Sequence, residues 1–331
     1  MGSMSNVEVD PVELVCAHRP GTATVLEPRE VPLGGPRAMR VRRTLPQRER
    51  SLIGAWCFAD HYGPNEVSAT GGMDVAPHPH TGLQTASWLF SGEIEHRDSL
   101  GTHCLIRPGE LNLMTGGHGI AHSEVSTRAT TTLHGVQLWI ALPDAHRNTA
   151  RDFHHHVPEV VGPPGARLRV FLGSLAGSTS PVPTFTPLLG AEITLDEGAR
   201  LALDVDPSFE HGVLQDTGST TVGGAELRGG QLAYLAPGPA RWELVNTGRG
   251  PARVLLLGGT PFTEELVMWW NFVARSHEEI AAYREEWQAG SARFGRVEGY
   301  RGRTARLPAP ALPHARIRPR RNPPASDAPR P

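Results

Sequence analysis

The chain has 331 residues, with 32 Lys+Arg against 34 Asp+Glu and a formal net charge of −2; all 32 basic residues are arginine. The missing lysine excludes Schiff-base chemistry, a P-loop lysine and a lysine general base, and the balanced charge provides no field to recruit nucleic acid or an anionic membrane. Any acid–base or metal chemistry falls to the carboxylates and the 16 histidines, 11 of which lie between His78 and His156.

The length fits two domains or one large β-rich one. With Gly 37 and Pro 30, about one residue in five is a turn-former, which suits many short strands. Cys16, Cys57 and Cys104 form no CxxC pair, so a disulfide scaffold or cysteine-rich zinc site is not expected. The opening MGSMSNVEVD reads as a short expression leader before Met4 rather than a signal peptide. No run approaches 18 apolar residues, and the protein is expected to be cytoplasmic, soluble and free of membrane partners.

Residues 12–146 read as short strands between turns: Thr85–Phe90, Cys104–Ile106 and Val136–Leu142, the last alternating in the period of a two-faced strand. A looser stretch with the His154–His156 run follows and leads into a second β unit. That unit's predicted strands are Ala191–Leu195, Leu201–Val205, Gly212–Gln215, Leu232–Leu235, Arg241–Val245 and Val254–Leu257. The fold class is therefore all-β, two consecutive β-barrels or sandwiches with a short C-terminal helical segment. The boundaries fall at 12–146, 147–262, 263–298 for the helical segment and 299–331 for a Pro/Arg-rich strap and tail. Thr263 to Ala289 is read as the helical stretch, with Ser276-His277-Glu278-Glu279 as a capping box and Ile280, Tyr283 and Trp287 as its apolar stripe. The tail is read as an extended strap fraying into disorder, its arginines solvated.

The chemistry concentrates in Pro77-His78-Pro79-His80-Thr81-Gly82. Two residues apart on a strand, His78 and His80 project from one face. Pro79 lacks an N–H and predicts an edge strand or a strand end. His122 and Glu124 repeat the i, i+2 spacing. If the two strands lie side by side, three imidazoles and one carboxylate converge, a donor set for a divalent first-row metal such as Fe, Mn, Co, Ni, Cu or Zn. The alternative is four incidental surface or core residues.

The strings PHPHTG, PGELNLMTGGHGIAHSE (Pro108 to Glu124) and HGVQLWIALP (His134 to Pro143) resemble the pirin family of bicupins, and Gly72 through His80 also fits the cupin pattern G-x5-H-x-H. The likeness extends over roughly residues 30 to 312, including GAWCFADHYG at Gly54–Gly63 and MWWNFVAR in the Gly258–Arg275 stretch. The resemblance implies a metal held by His78, His80, His122 and Glu124, with Fe(II) foremost among the fitting ions; the second unit reads as metal-free, because His211 is the only histidine between His156 and His277. The resemblance also implies a dioxygenase that cleaves quercetin or a related polyphenol. Glu124 would take the substrate hydroxyl proton, and the deprotonated substrate would pass electron density to O2; the partners are then a small aromatic substrate and O2. The competing implication is an iron-dependent redox-sensing regulator acting through a protein partner, without direct nucleic-acid contact; a weaker third is a Lewis-acid isomerase or cyclase.

One departure is Gln84, where cupins carry Glu. Gln84, His118, His61 and His103 are the further pocket candidates, while His96 and His134 read as ordinary strand or loop residues. His154–His156 cannot all bind one ion, because neighbours on a strand face opposite ways, and they read as a surface segment. Gln137 and Trp139 read as pocket lining or as packing, one or both of Trp269 and Trp270 as docking the C-terminal helix, and Glu210-His211 as structural. The cysteines read as small buried hydrophobes, with Cys104 redox-active if exposed.

Overall fold

A computed structural model describes residues 22–32, 39–302 and 304–322; the leader before Met4, Cys16 and the last nine residues of the tail lie outside them. The first half contributes β2 (Arg29–Pro32), β3 (Arg40–Leu45), β4 (Trp56–Glu66), β5 (Asp74–His80), β6 (Leu83–Ser91), β7 (Ile94–Asp98), β8 (His103–Ile106), β9 (Leu111–Thr115), β10 (Ile120–Ser126), β11 (Thr132–Ala141) and β12 (Asp152–His156), preceded by β1 (Thr24–Leu26). They form a seven-stranded sheet in the order β12-β9-β6-β11-β4-β3-β2 and a four-stranded sheet in the order β5-β10-β7-β8. The second half repeats this plan. Its seven-stranded sheet centres on Glu210–Thr217, Ala252–Gly259 and Leu188–Leu195, and its four-stranded sheet on Arg200–Asp204 and Arg241–Asn246. Two antiparallel sandwiches in tandem are the all-β, two-unit architecture expected from the turn-rich layout and the bicupin plan that the resemblance implies. Each predicted strand overlaps an observed one.

Sheet membership departs from the 146/147 boundary at two places. β1 pairs with Leu232–Leu235 in the second half's large sheet, and β12 pairs with β9 in the first's. The halves share a core in which Trp56, Trp88, Leu138 and Ile140 pack with Phe171, Leu214 and Leu257. The Trp88 indole N–H donates to Glu192 Oε2 at 2.7 Å across this junction, and the Gly54 amide donates to Glu210 Oε1 at 2.6 Å. Gly54 has φ +51°, and a Cβ there would lie 2.7 Å from the Gly259 Cα. Gly54→Ala adds backbone strain to a backbone clash, and a loss of about 2–4 kcal/mol in stability is expected. Urea unfolding checks it; an unchanged midpoint would show that the junction has slack.

The helical segment needs correction. Only His277–Ala289 is α-helical, while Val267–Trp269 and Phe272–Ala274 form a hairpin where a helix was predicted. Trp270 turns the chain at φ +52°, a region bulky side chains rarely adopt, and Phe272 and Val273 are fully buried strand residues. The capping signal holds: the Ser276 hydroxyl accepts the Glu279 amide, and Ile280, Tyr283 and Trp287 are the buried stripe. Both Trp269 and Trp270 pack against the helix's core cluster. The strap also differs from the frayed reading as far as Asn322. Leu266 and Arg320 exchange backbone hydrogen bonds, and the Asn322 side chain accepts the Ser51 and Leu52 amides. Among the described residues no helix is long and apolar enough to cross a membrane.

Candidate metal centre

β5 is the edge strand of its sheet, where Pro79 can be tolerated. It pairs antiparallel with β10, placing His122 opposite His78 and Ile120 opposite His80, with a register shift between His122 and Glu124. The i, i+2 pairs therefore meet on one inner face. Reactive nitrogens of His78, His80 and His122 all lie within 4.8 Å of one another, and Glu124 joins His122 and His96 in a second such group. The predicted quartet lines a single cavity of about 610 Å³.

The hydrogen bonds around the ring show why this set suits a cation. His78 Nδ1 lies 2.9 Å from the Ala76 carbonyl and His80 Nδ1 lies 3.2 Å from the Asn271 carbonyl, so both rings carry their proton on Nδ1. Their Nε2 lone pairs face inward, and His80 Nε2 is 3.0 Å from His122 Nε2. Burial lowers the His78 pKa to about 4 and pushes His80 and His122 well below their ordinary value, so protons do not fill the gap. Burial raises the Glu124 carboxyl, opposed by His96 and the Ser87 hydroxyl. Neutral imidazole lone pairs converging beside a buried carboxylate form a mixed N/O donor set that a divalent transition metal satisfies.

His96, predicted to be ordinary, is buried against this set. Its Nδ1 is 3.4 Å from His122 Nδ1 and its Nε2 is 3.2 Å from Asp98 Oδ2. β7 pairs with β10 so that His96 lies opposite Glu124 and Asp98 opposite His122. The chain His122–His96–Asp98 thus orients the His122 ring from behind. The signal available in sequence was a third i, i+2 polar pair, His96 and Asp98.

The facing sheet supplies a polar row that sequence reasoning did not anticipate. Arg43, Asp60, Gln137, Ser87 and Asn112 stand opposite one another across β3, β4, β11, β6 and β9. The Arg43 guanidinium donates twice to Asp60 at 2.7 Å. Ser87 Oγ is 3.1 Å from Glu124 Oε1 and 2.9 Å from Gln137 Oε1. In the next row Phe58 stacks on Trp139 at 4.1 Å between centroids, and Arg43 lies 4.3 Å over the Phe58 ring. Gln137 and Trp139 therefore line the cavity as well as packing.

The four further candidates lie outside the lining. Gln84 is buried but its amide donates to Thr115 Oγ1. His118 is held between the Thr149 carbonyl and Arg151, and His103 is an exposed partner of Glu95. His61 belongs to a different cluster: its Nε2 and that of His134 lie 2.7 and 2.6 Å from Asp216 Oδ1, with Arg253 donating to Oδ2 at 2.7 Å. In the second half His211 is buried and, among the described residues, its Nε2 has no hydrogen-bond partner. His154–His156 lie on an edge strand with alternating faces. Cys57 is buried with its thiol pKa pushed up to about 12, and burial raises that of the half-buried Cys104, so neither thiol is activated.

Tandem sandwiches with a histidine-lined pocket in the first define a bicupin. The family model described as Pirin matches residues 38–140, and that of the Pirin C-terminal cupin domain matches residues 190–295. The chain belongs to the pirin family. It is 46% identical over 288 residues, 86% of this chain and 89% of the other, to a Pseudomonas aeruginosa protein provisionally named quercetin 2,3-dioxygenase. A pirin-like protein of Caulobacter vibrioides is 34% identical over 80% of this chain and 93% of its own. A crystal structure of quercetin 2,3-dioxygenase from Acinetobacter baumannii superposes with a TM-score of 0.84 at 40% identity, covering 90% of this chain and 98% of that one.

Proposed function

We propose that the protein is a metal-dependent dioxygenase acting on a flat polyphenol of the quercetin class, with His78, His80, His122 and Glu124 as the ligands. The observation that carries this reading is the cavity beside the quartet. Its volume of about 610 Å³ is walled by Phe58, Trp139 and Trp270 and falls in the ~300–1,000 Å³ range of small-molecule sites. A regulator that only senses its metal needs no such room. When bound, the metal would supply a Lewis-acid and redox centre for the substrate's enol or catechol oxygen.

The chain's own residues then have defined tasks. Glu124 takes the phenolic proton at a carboxylate oxygen, its orientation fixed by Ser87. Phe58 and Trp139, stacked on each other, give aromatic contact to the substrate and displace water. The Ala76 and Asn271 carbonyls hold the two β5 histidines in the ligating tautomer.

The test is protein loaded in turn with Fe(II), Mn, Co, Ni or Cu, exposed to quercetin in air. Loss of the flavonol absorbance with matching O2 uptake is expected for at least one ion. Stoichiometric metal with no turnover for any of them would reject the reading.

A further inference from the structure

Both family matches end by residue 295, yet part of the cavity's boundary is built after that point. Leu307, Pro308 and Pro310, on the extended strap behind the C-terminal helix, share the cavity with the metal quartet, Phe58 and Trp139. We propose that this strap segment is the specificity-determining wall at the cavity's mouth, with Leu307 as its principal selector, admitting flat multi-ring phenols; this rests on the cavity being the substrate site.

The wall is anchored on both sides. The Leu307 amide donates to the Pro77 carbonyl at 2.8 Å, one residue before His78. The Leu307 carbonyl accepts the Trp287 indole N–H at 2.8 Å, and the Ala309 amide donates to Gln288 Oε1 at 2.9 Å. The Arg284 guanidinium donates to the Pro310 carbonyl at 2.5 Å. Ala309 is buried in the helix cluster, while Leu307, Pro308 and Pro310 line the cavity. The two prolines have no N–H to satisfy and a fixed φ, so they present a stiff apolar surface with no donor for the ligand to desolvate. Leu307 is half-buried beside the exposed Pro308 and Pro310, with both backbone groups engaged. Its side chain can therefore be changed without releasing the strap. On this proposal a single phenol ring at the metal leaves Leu307 untouched, whereas a three-ring ligand reaches it.

Full-length protein loaded with Co(II) and kept under argon is titrated with catechol and with quercetin. Leu307→Trp, which narrows the mouth, is expected to weaken quercetin about tenfold and leave catechol within about twofold. Leu307→Ala, which removes contact, should weaken quercetin roughly three- to tenfold, again sparing catechol. Parallel changes for the two ligands, or none for either, would overturn the proposal. Selective binding changes with no O2 uptake in air for protein loaded with any of Fe(II), Mn, Co, Ni or Cu would reject the dioxygenase reading while leaving the wall standing. If neither phenol binds the wild type, the proposal is overturned together with the reading it rests on.

Discussion

Glu124→Gln is expected to lower kcat for quercetin by about 10²–10⁴-fold in protein saturated with metal, the range supplied by a positioned general base. The amide keeps the shape of the carboxylate and can still accept from Ser87 Oγ, which lies 3.1 Å from Oε1, but it cannot take a proton. Metal affinity should also fall, because a buried negative charge disappears from the donor set. The comparison therefore requires metal content measured on the same sample. Full metal occupancy with wild-type turnover would remove Glu124 from the proton-transfer role and leave it as a ligand only.

The second large effect lies away from the cavity. Asp216 reaches from the second half to receive His61 and His134 from the first, while Arg253 grips its other oxygen. Burial alone would raise the Asp216 carboxyl, but the hydrogen bonds from the two histidines and the Arg253 charge outweigh it and hold it well below the usual range. Asp216→Ala leaves those donors buried and unpaired, and about 3–5 kcal/mol of stability should be lost at pH 7. The sign of the pH dependence follows from the depressed pKa. Asp216 contributes fully above its unfolded value of about 3.9 and loses that contribution as pH falls towards the folded value. Between pH 7 and pH 3 the gap between wild type and variant should shrink by roughly 1 kcal/mol. A gap in denaturant unfolding independent of pH would mean that the carboxylate is not the source of the stability.

The contrast between these two clusters shows what the sequence could reveal. His78 and His80, like His122 and Glu124, are i, i+2 pairs, and strand geometry alone orients each pair; one further assumption, that the strands are neighbours, completes the site. Pro79 even indicated the edge position of β5. His61, His134 and Asp216 are separated by 73 and 82 residues; the two histidines meet on the paired strands β4 and β11 and Asp216 reaches them from the other half's large sheet, so no local period marks them. The polar row from Arg43 to Asn112 was hidden similarly, since it depends on the register of five strands. The hairpin at 267–274 was misread because a short run rich in Val, Met and Trp fits a helix or a strand equally until its turn is known. The strap's contribution to the cavity depended on where the tail returns, which an unpatterned proline-rich segment does not encode.

The crossed membership of β1 and β12 has a consequence for dividing the molecule. A fragment ending at residue 146 would lose β12 and bare the edge of β9, whose backbone would then be free to pair with another chain. A fragment beginning at 147 would lack β1 and expose Leu232–Leu235 in the same way. Each half thus shields an open edge with chain that a cut between residues 146 and 147 assigns to the other. A split intended to isolate the metal-binding half would have to retain residues through His156, and one intended to isolate the second would have to carry Thr24–Leu26 with it, for instance by circular permutation.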